Sequence, residues 1–462
     1  MKKMVSLMLS GVMLASSLVG CASGSTEKTP TPSAEVTSES KDKADTNQTE
    51  PTETAEPAEI TIWRTSQQNE VYRDLDKLFM EENPDVNVKI VIKEGDPQHE
   101  FMQAVAMGNA PDLVQAEFMN LMKFAANGIL EPLNPMLEGW DEWSQFNESY
   151  ISILTREGNT YGVPYLVIPM LFAYNKAIFE ENGITELPKD WDQALDIAKR
   201  VNDPSKQIIG YSTLTAEWTE WFFQYYVWQA GGDLTKENSD GTIELTFTDP
   251  AVIEAAKYYQ KLKAEGVLQS DLTLKFNDLI DQFAQGRIAM MPCGGDWISR
   301  FVNAGMDPDD IGIMVSPAGP GGKQDSAIGG SSFGIRAGVA DNVKNAAFKY
   351  ITFITGQEAI EAYFDEMASK GAMDLLIIAR DDMNVGQFYD LPEEYIAILE
   401  EAKAKGRLEF YGKPEFGGYV DRVVQKLFID PNMDIEAEFK AAQDLATKEK
   451  LEEFNKLNKV SE

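Results

Sequence analysis

Side chains that carry out covalent chemistry are scarce in this sequence. The 462 residues include one histidine, His99, and two cysteines, Cys21 and Cys293, which lie far apart. A histidine-containing triad, a histidine-rich zinc site and a thiol–histidine pair each need partners that the chain lacks. Two isolated cysteines also exclude a disulfide framework. His99 stands in the polar run GDPQHE, which is typical of a surface segment. We therefore expect neither a metal site nor a cofactor.

Carboxylates are abundant, and they leave one enzymatic alternative open. The chain has 75 Asp and Glu residues, so a glycosidase with two carboxylates flanking a sugar bond is compatible with the composition. No motif, however, places an acid at a strand end together with a partner. A calcium loop in KENSDGTIE fails because Lys236 stands where the first carboxylate ligand is needed. Gly321-Gly322-Lys323 continues with Gln324, which is not the sequence of a phosphate-binding loop. We interpret the chain as a non-enzyme.

The charge and the N-terminus indicate an exported protein. The formal net charge is −34, which disfavours nucleic acid and anionic lipid as partners. Lys2-Lys3 precede an apolar run that is too short for a membrane helix and suits a signal peptide. Leu18-Val19-Gly20-Cys21 resembles a bacterial lipobox. We predict a signal peptide over residues 1–20, a lipidated Cys21, and a disordered Ser/Thr/Glu/Pro-rich tether to residue 57.

The body begins with an α/β pattern. Ile60–Trp63, Val86–Ile92 and the residues after Asp112 read as strands, with helices over Glu70–Glu82 and Glu100–Met107 between them. This alternation predicts a parallel sheet with helices on both faces. Ligands of such sheets bind beyond the carboxyl ends of the strands.

The rest of the chain continues with helices and strands, and its length predicts two or three domains. Predicted helices cover 191–201, 217–228, 250–263, 276–285, 343–355, 357–364, 392–405, 420–427 and 435–457. Predicted strands cover 242–248, 286–290 and the residues from 311.

One stretch, Tyr161–Gly183, departs from regular alternation. Pro164 and Pro169 exclude a helix before about Leu171. We predict a short buried strand over residues 172–174, then a helix over residues 176–181 with a left-handed Asn-Gly cap. Tyr161 and Tyr165 are then expected at a sheet edge, where a concave site can form.

This stretch resembles the signature of the family 1 extracellular solute-binding proteins, the sugar-capturing subunits of ABC importers. Further segments are similar to the family pattern, in the same order, over nearly all of residues 58–455. They are GNAPDLV, FAQGRIAMMPCGGDW, GGSSFGI and NAAFKYITFITGQEAIEAYF. Two positions depart from the pattern: Arg287 stands where lysine is usual, and KGAMDLL at residues 370–376 lacks a Gly-x-Pro turn.

The resemblance implies a periplasmic-binding-protein-like α/β fold, with two lobes joined by hinge crossover strands. The first lobe would comprise residues 58–137 plus 315–366, and the second residues 138–314 plus 367–462. It also implies a monomer, anchored by its lipid to the outer face of the bacterial cell membrane. This monomer would pass a neutral mono- or oligosaccharide to the permease subunits of an ABC importer.

A sugar receptor needs flat aromatic side chains for the C–H faces and acceptors for the hydroxyl groups. Trp297 is the strongest candidate, because the preceding Gly294-Gly295-Asp296 turn offers no local room to bury a large ring. We expect the first lobe to contribute Trp63, Glu117 and Ser331, and the second lobe Tyr165, Trp218, Trp221 and Trp297. The remaining candidates are Arg64, Asp296, Ser332 and Phe416.

Overall fold

The computed structural model of the chain describes residues 57–430 and 432–459. The predicted signal peptide, the predicted lipidation site Cys21 and residues 22–56 of the predicted tether lie outside these ranges. Among the residues described, no helix is both long enough and apolar enough to cross a membrane.

The strands begin with the predicted α/β unit and end near residue 407. In chain order they are β1 Ala58–Arg64, β2 Val86–Ile92, β3 Leu113–Glu117, β4 Thr155–Arg156, β5 Asn159–Thr160, β6 Val163–Asn175, β7 Thr235–Glu237, β8 Ile243–Leu245, β9 Met290–Gly294, β10 Ile311–Met314, β11 Ser326–Ile335, β12 Ile377–Ile378 and β13 Gly406–Arg407.

Helices fill the segments between the strands and form the C-terminal part. They are α1 Ser66–Glu82, α2 Pro97–Met107, α3 Phe118–Ala126, α4 Asn134–Leu137, α5 Glu148–Ile153, α6 Lys176–Glu181, α7 Trp191–Val201, α8 Thr219–Gln229, α9 Pro250–Ala264, α10 Phe276–Ala284, α11 Ile298–Asn303, α12 Asp341–Ile354, α13 Gln357–Ser369, α14 Glu393–Lys405, α15 Lys413–Ile429, α16 Ile435–Ala446 and α17 Glu452–Asn458. Short 3₁₀ segments cover Asp141–Gln145, Gly295–Trp297, Pro308–Asp310 and Val385–Gln387, and a π-helical turn covers Thr447–Leu451.

Many predicted elements agree with the structure, and the differences lie mainly at helix starts. β2, α6 and α7 have the predicted bounds. α1 begins at Ser66, because Thr65 accepts a hydrogen bond from the Gln68 backbone N–H and the Gln68 side chain accepts one in return. α15 begins seven residues before the predicted Val420, because Lys413-Pro414 opens its first turn.

The main sheet is mixed rather than purely parallel. β1 pairs in parallel with β2 and with β3, as predicted, but β11 pairs antiparallel with both β3 and β6. The strand order is β10-β6-β11-β3-β1-β2, with β9 and β12 also pairing with β6 and β13 pairing with β11. Glu117, at the carboxyl end of β3, is therefore placed beside β11.

Strand β6 corrects the prediction for Tyr161–Gly183. It is thirteen residues long and includes both prolines. Its first part pairs with β11 and its second part with β9 and β10. The register against β11 shifts between Gly330 and Ser332, opposite Pro164, and such a bulge accommodates a residue that cannot donate a hydrogen bond. Because β6 lies inside the sheet, Tyr165 is buried rather than at an edge.

Candidate functional site

The end of β3 presents a carboxylate next to β11. Glu117 is opposite Ser331 in the sheet register, so these two predicted residues are brought together. The Glu117 backbone N–H donates to Gln98 Oε1 over 2.9 Å, and its side chain is exposed to solvent. Burial by the surrounding protein, reinforced by repulsion from Glu409, raises the pKa of Glu117. The Glu117 carboxylate is thus open to water and also close enough to other charged groups for its pKa to respond to them.

A second group of charged residues lies on α8, on α15 and just before α15, and of these Glu409 and Lys413 act electrostatically on Glu117. Lys413 forms an ion pair with Glu409, and its Nζ lies 4.0 Å from Glu220 Oε1. The same ammonium lies 5.8 Å from the centre of the Trp221 ring, within the range of a cation–π contact. We call Glu117, Glu220, Glu409 and Lys413 the carboxylate cluster.

The carboxylate cluster contains more negative charge than its single lysine offsets. Burial raises the pKa of Glu220 to about 7, while Lys413 lowers it and Asp421 raises it further. Burial raises the pKa because removing water from a carboxylate disfavours its charged form. The cluster is therefore an acidic surface with little water around Glu220.

The three tryptophans predicted for the second lobe come together through two phenylalanines. Ring centres lie 6.0 Å apart for Trp218 and Phe276, 4.7 Å for Phe276 and Trp297, and 6.0 Å for Trp297 and Phe222. Trp221 completes the group, 5.2 Å from Phe222. We call these five rings the aromatic wall.

Exposure within the aromatic wall differs from the sequence expectation. Trp218 is 54% exposed, whereas Trp297, the strongest candidate from the sequence, is 5% exposed. The glycine turn leaves no local cover for Trp297, but Phe222 from α8 and Phe276 from α10 pack against it. This burial comes from distant segments and could not be inferred from the local turn.

The backbone at Trp218 has an uncommon conformation. Its φ is +51°, in the left-handed region, which is unfavourable for a residue with a bulky side chain. Residues held in such a conformation are often found at functional sites. Next to it, Thr219 donates from its backbone N–H and its hydroxyl to Asp421 Oδ1, over 3.1 and 2.6 Å. These bonds fasten the start of α8 to α15 and hold Trp218 at the surface.

A second pair of carboxyl groups lies beside the aromatic wall. Burial raises the pKa of Asp296 to about 6, with Arg300 lowering it and Asp374 raising it. Burial also raises the pKa of Asp374. Asp374 Oδ1 has no hydrogen-bond partner among the residues that the structure describes. Arg300 lies 5.4 Å from the centre of the Phe276 ring.

Two buried polar atoms near the carboxylate cluster also lack partners within the described part of the chain. They are the Trp221 Nε1–H and the Tyr225 hydroxyl. Tyr225 is 2% exposed. Burial is the main cause of its raised pKa, and the negative charge of Glu409 is the next. An unpaired buried polar atom is costly, so each of these groups has a hydrogen-bonding capacity that the described residues do not meet.

The structure corrects the prediction for Arg64. Its guanidinium is buried and bonds Asp76 Oδ2 over 2.5 Å and Tyr350 OH over 2.6 Å. Position 64 ends β1, but the side chain turns onto α1 and α12 instead of toward a ligand. Trp63 is half-buried, and the ammonium of Lys93 lies 4.0 Å from its ring centre, so one of its faces is already occupied.

Three further candidates are core residues. Tyr165 is packed among Tyr72, Phe333 and Tyr363. Ser332 is fully buried and donates its hydroxyl to the Ala116 carbonyl over 3.1 Å. Phe416 is also fully buried, with its ring 5.3 Å from that of Phe454. Alternation along β11 explains the difference between Ser331 and Ser332, which point to opposite faces.

Sequence reasoning missed Glu220, Glu409, Lys413, Phe276 and Asp374. Only Glu220 had a local signal, since it stands two residues after Trp218 within the aromatic run. Lys413 is in the first turn of α15, which begins earlier than predicted, and Glu409 stands just before that helix.

Two cavities adjoin the site without containing any residue predicted for it. Their volumes are about 810 and 590 Å³. Residues common to both linings are Met119, Ile153, Glu237, Leu408 and Tyr411. Glu409 lines the larger cavity, so the cavity and the carboxylate cluster share one residue. Because the cavities lack tryptophan, we place the candidate site at the carboxylate cluster and the aromatic wall.

Aromatic faces and carboxylates on an α/β fold are groups that binding sites for polar ligands use. The chain belongs to the bacterial extracellular solute-binding protein family, whose model matches residues 65–361. This family consists of binding proteins rather than enzymes, as the sequence analysis predicted.

Comparison with individual proteins gives the same class. A protein of Brucella abortus (strain 2308), described by its name only as a binding protein, is 28% identical over 54% of this chain and 60% of its own length. The maltotriose-binding protein of Pyrococcus abyssi (strain GE5 / Orsay) is 25% identical over 65% of this chain and 64% of its own. The chain thus spans less than two thirds of the length of these relatives.

The fold is similar to that of solved solute-binding proteins. A structure from Thermotoga lettingae, bound to α-D-tagatose, aligns with a TM-score of 0.70 and 22% identity, over 84% of this chain and 99% of that one. The predicted periplasmic-binding-protein fold is confirmed.

Proposed function

We propose that this protein is an extracytoplasmic receptor that captures a mono- or oligosaccharide and delivers it to the permease subunits of an ABC importer. The carrying observation is the aromatic wall, in which Trp218 is exposed and the Trp221 ring lies 5.8 Å from Lys413 Nζ of the carboxylate cluster. An aromatic face binds the C–H surface of a sugar, and carboxylates accept hydrogen bonds from its hydroxyl groups. Membership of the family and the maltotriose-binding relative support this choice.

Reversible capture requires moderate affinity. We expect dissociation constants near the micromolar range, which corresponds to about −8 kcal/mol. A thermal-shift screen of the mature protein against common mono- and oligosaccharides tests the proposal. A dose-dependent rise in melting temperature with at least one sugar supports it. Binding of peptides or metal ions in place of every sugar contradicts it.

We further propose that the ligand is held between two lobes joined by β6 and β11. Each of these strands pairs with different partners along its length. For example, β6 pairs with β11 along its first part and with β9 and β10 along its second part. Trp140 lies 6.1 Å from Phe348, and Tyr150 lies 6.2 Å from Phe118. Because Phe348 and Phe118 belong to the proposed first lobe, these contacts favour a first crossing within β6 rather than at residue 138, and we propose it there.

A lipid on Cys21 would keep the receptor at the membrane. We propose that Cys21 is acylated after removal of residues 1–20. Replacement of Cys21 with Ser should then release the protein into the medium and abolish labelling by a palmitate analogue. Continued membrane association of the variant after a salt wash would argue against the anchor.

A further inference from the structure

The larger of the two cavities that adjoin the candidate site is lined by groups that suit a polar ligand. Its volume of about 810 Å³ lies within the range of cavities that enclose small molecules, roughly 300–1,000 Å³. Tyr150, Phe410 and Tyr411 contribute aromatic side chains to the lining, and Glu237 and Glu400 contribute carboxylates. Aromatic rings and carboxylates are the groups that bind the C–H faces and the hydroxyl groups of a sugar.

Both cationic side chains in this lining are already paired. Lys403 Nζ lies 2.9 Å from Asp381 Oδ1, and Arg407 Nη2 lies 2.7 Å from Asp233 Oδ2. An anionic ligand would have to compete with these carboxylates, whereas a neutral ligand leaves both ion pairs in place. The cavity therefore favours a neutral, hydroxyl-rich ligand over an anion.

Tyr150 brings to this cavity a hydrogen-bonding group that the described protein leaves unused. The side chain is 2% exposed, and its ring stacks on that of Phe118 with the ring centres 6.2 Å apart. Its hydroxyl has no hydrogen-bond partner among the residues that the structure describes. A buried hydroxyl without a partner is costly, and a sugar hydroxyl can either donate to it or accept from it.

A short segment before and at the start of α15 connects this cavity with the aromatic wall. Glu409 and Phe410 line the cavity. The Phe410 backbone N–H donates to Gln224 Oε1 over 3.1 Å, and Gln224 Nε2 donates to the Trp221 carbonyl over 3.0 Å. Lys413, the ion-pair partner of Glu409, has its ammonium 5.8 Å from the centre of the Trp221 ring. The same segment thus borders the cavity and contacts the aromatic wall.

We propose that the natural ligand is a neutral oligosaccharide, with one sugar unit on the aromatic wall and a further unit in the larger cavity, where it bonds the Tyr150 hydroxyl. This inference rests on the proposed sugar-binding function and narrows its ligand from a mono- or oligosaccharide to an oligosaccharide. The smaller cavity suits a sugar unit less well, because apolar side chains are prominent in its lining, among them Met102, Met122 and Leu457.

Sugars of one composition and increasing length test the inference. The probes are the α-1,4 and β-1,4 glucose series and the β-1,4 galactose series, each from the monosaccharide to the tetrasaccharide. Titration calorimetry gives the affinity of each probe. In at least one series we expect the affinity to rise by about tenfold or more from the monosaccharide to the trisaccharide, because the added units make aromatic contacts and hydrogen bonds of their own.

Tyr150→Phe keeps the ring and removes only the hydroxyl. We expect it to weaken the best trisaccharide by about threefold to tenfold and to change the affinity for the monosaccharide by less than about twofold, with no loss of melting temperature in the ligand-free protein. Tyr259→Phe is the matched control and should change neither affinity. Tyr259 is also buried, its hydroxyl also has no partner among the described residues, and it lines neither cavity.

A monosaccharide that binds as tightly as its longer forms in every series overturns the inference and leaves the proposed function intact. Unchanged affinity of Tyr150→Phe for every oligosaccharide does the same. Binding of no sugar of any length overturns both.

Discussion

Trp218 and Trp297 belong to one aromatic wall but should behave differently on mutation. Trp218→Ala removes an exposed ring, so we expect sugar affinity to fall by about 1–3 kcal/mol with little change in folding. Trp297→Ala removes a buried ring, so the free energy of unfolding should fall by about 3–5 kcal/mol. Calorimetry with the best sugar and melting curves of the ligand-free variants measure both effects. A destabilised Trp218→Ala protein with normal affinity would refute the assignment.

Glu220 should make stability depend on pH. Its pKa in the folded protein is about 7, raised mainly by burial, whereas the value in the unfolded chain is near 4.3. The folded state therefore binds the proton more tightly, and stability is lost as pH rises from about 4 through 7. Glu220→Gln should stabilise the ligand-free protein by about 1–3 kcal/mol at pH 8 and by little at pH 4.5.

Denaturant unfolding at these two pH values measures the difference. Glu358→Gln, at an exposed site of α13, is the control variant. Equal effects of Glu220→Gln at both pH values would mean that the Glu220 carboxyl is not perturbed as the geometry indicates.

At the residue scale, the sequence indicates the type of a side chain but not its exposure. Trp218 and Glu117 are exposed and Asp296 precedes Trp297 of the aromatic wall, and their role in binding a ligand stays a prediction. Arg64 and Phe416 are buried, because they pack against Tyr350 and Phe454, hundreds or tens of residues away. A local turn or strand end carries no information about such distant partners.

At the scale of elements, a buried ion pair fastens β1 to α1 and α12. Arg64 pairs with Asp76, and Tyr350 bonds both side chains. Asp76→Asn leaves a buried guanidinium without its counter-charge, and we expect a loss of about 3–5 kcal/mol in unfolding free energy. Tyr350→Phe removes only neutral hydroxyl bonds to the pair, for which about 1–3 kcal/mol is expected.

Chemical denaturation of both variants gives the comparison. A cost for Asp76→Asn no larger than that for Tyr350→Phe would show that the ion pair is not a principal tie. Sugar affinity should change little in either variant, since this pair is directed away from the carboxylate cluster.

Periodicity was most informative for long amphipathic helices and least informative for β6. α7 has the predicted bounds because its apolar positions recur at helical spacing and Asp190 caps its start. In β6 the two prolines excluded a helix but did not indicate one continuous strand, which forms because the bulge opposite β11 accommodates Pro164. Strand pairing between distant segments decided the outcome, and a single sequence does not show such pairing.

At the scale of the whole molecule, the site draws on segments far apart in the chain. Glu117 ends β3, whereas Glu409 and Lys413 lie just before and at the start of α15. Lys123 of α3 forms an ion pair of 3.1 Å with Glu415 of α15. A ligand that touches both sides shifts the molecule toward the closed form by its differential affinity. We expect small-angle scattering to show a smaller radius of gyration on saturation with sugar. An unchanged radius would contradict closure.

The most direct test of the account is a crystal structure of the protein with the best sugar from the screen. We expect a sugar ring over the Trp218 face, within about 4 Å, and hydrogen bonds from the sugar to Glu117 and Glu409. A sugar found instead in the cavities lined by Met119, Leu408 and Tyr411, away from Trp218, would contradict the site proposed here.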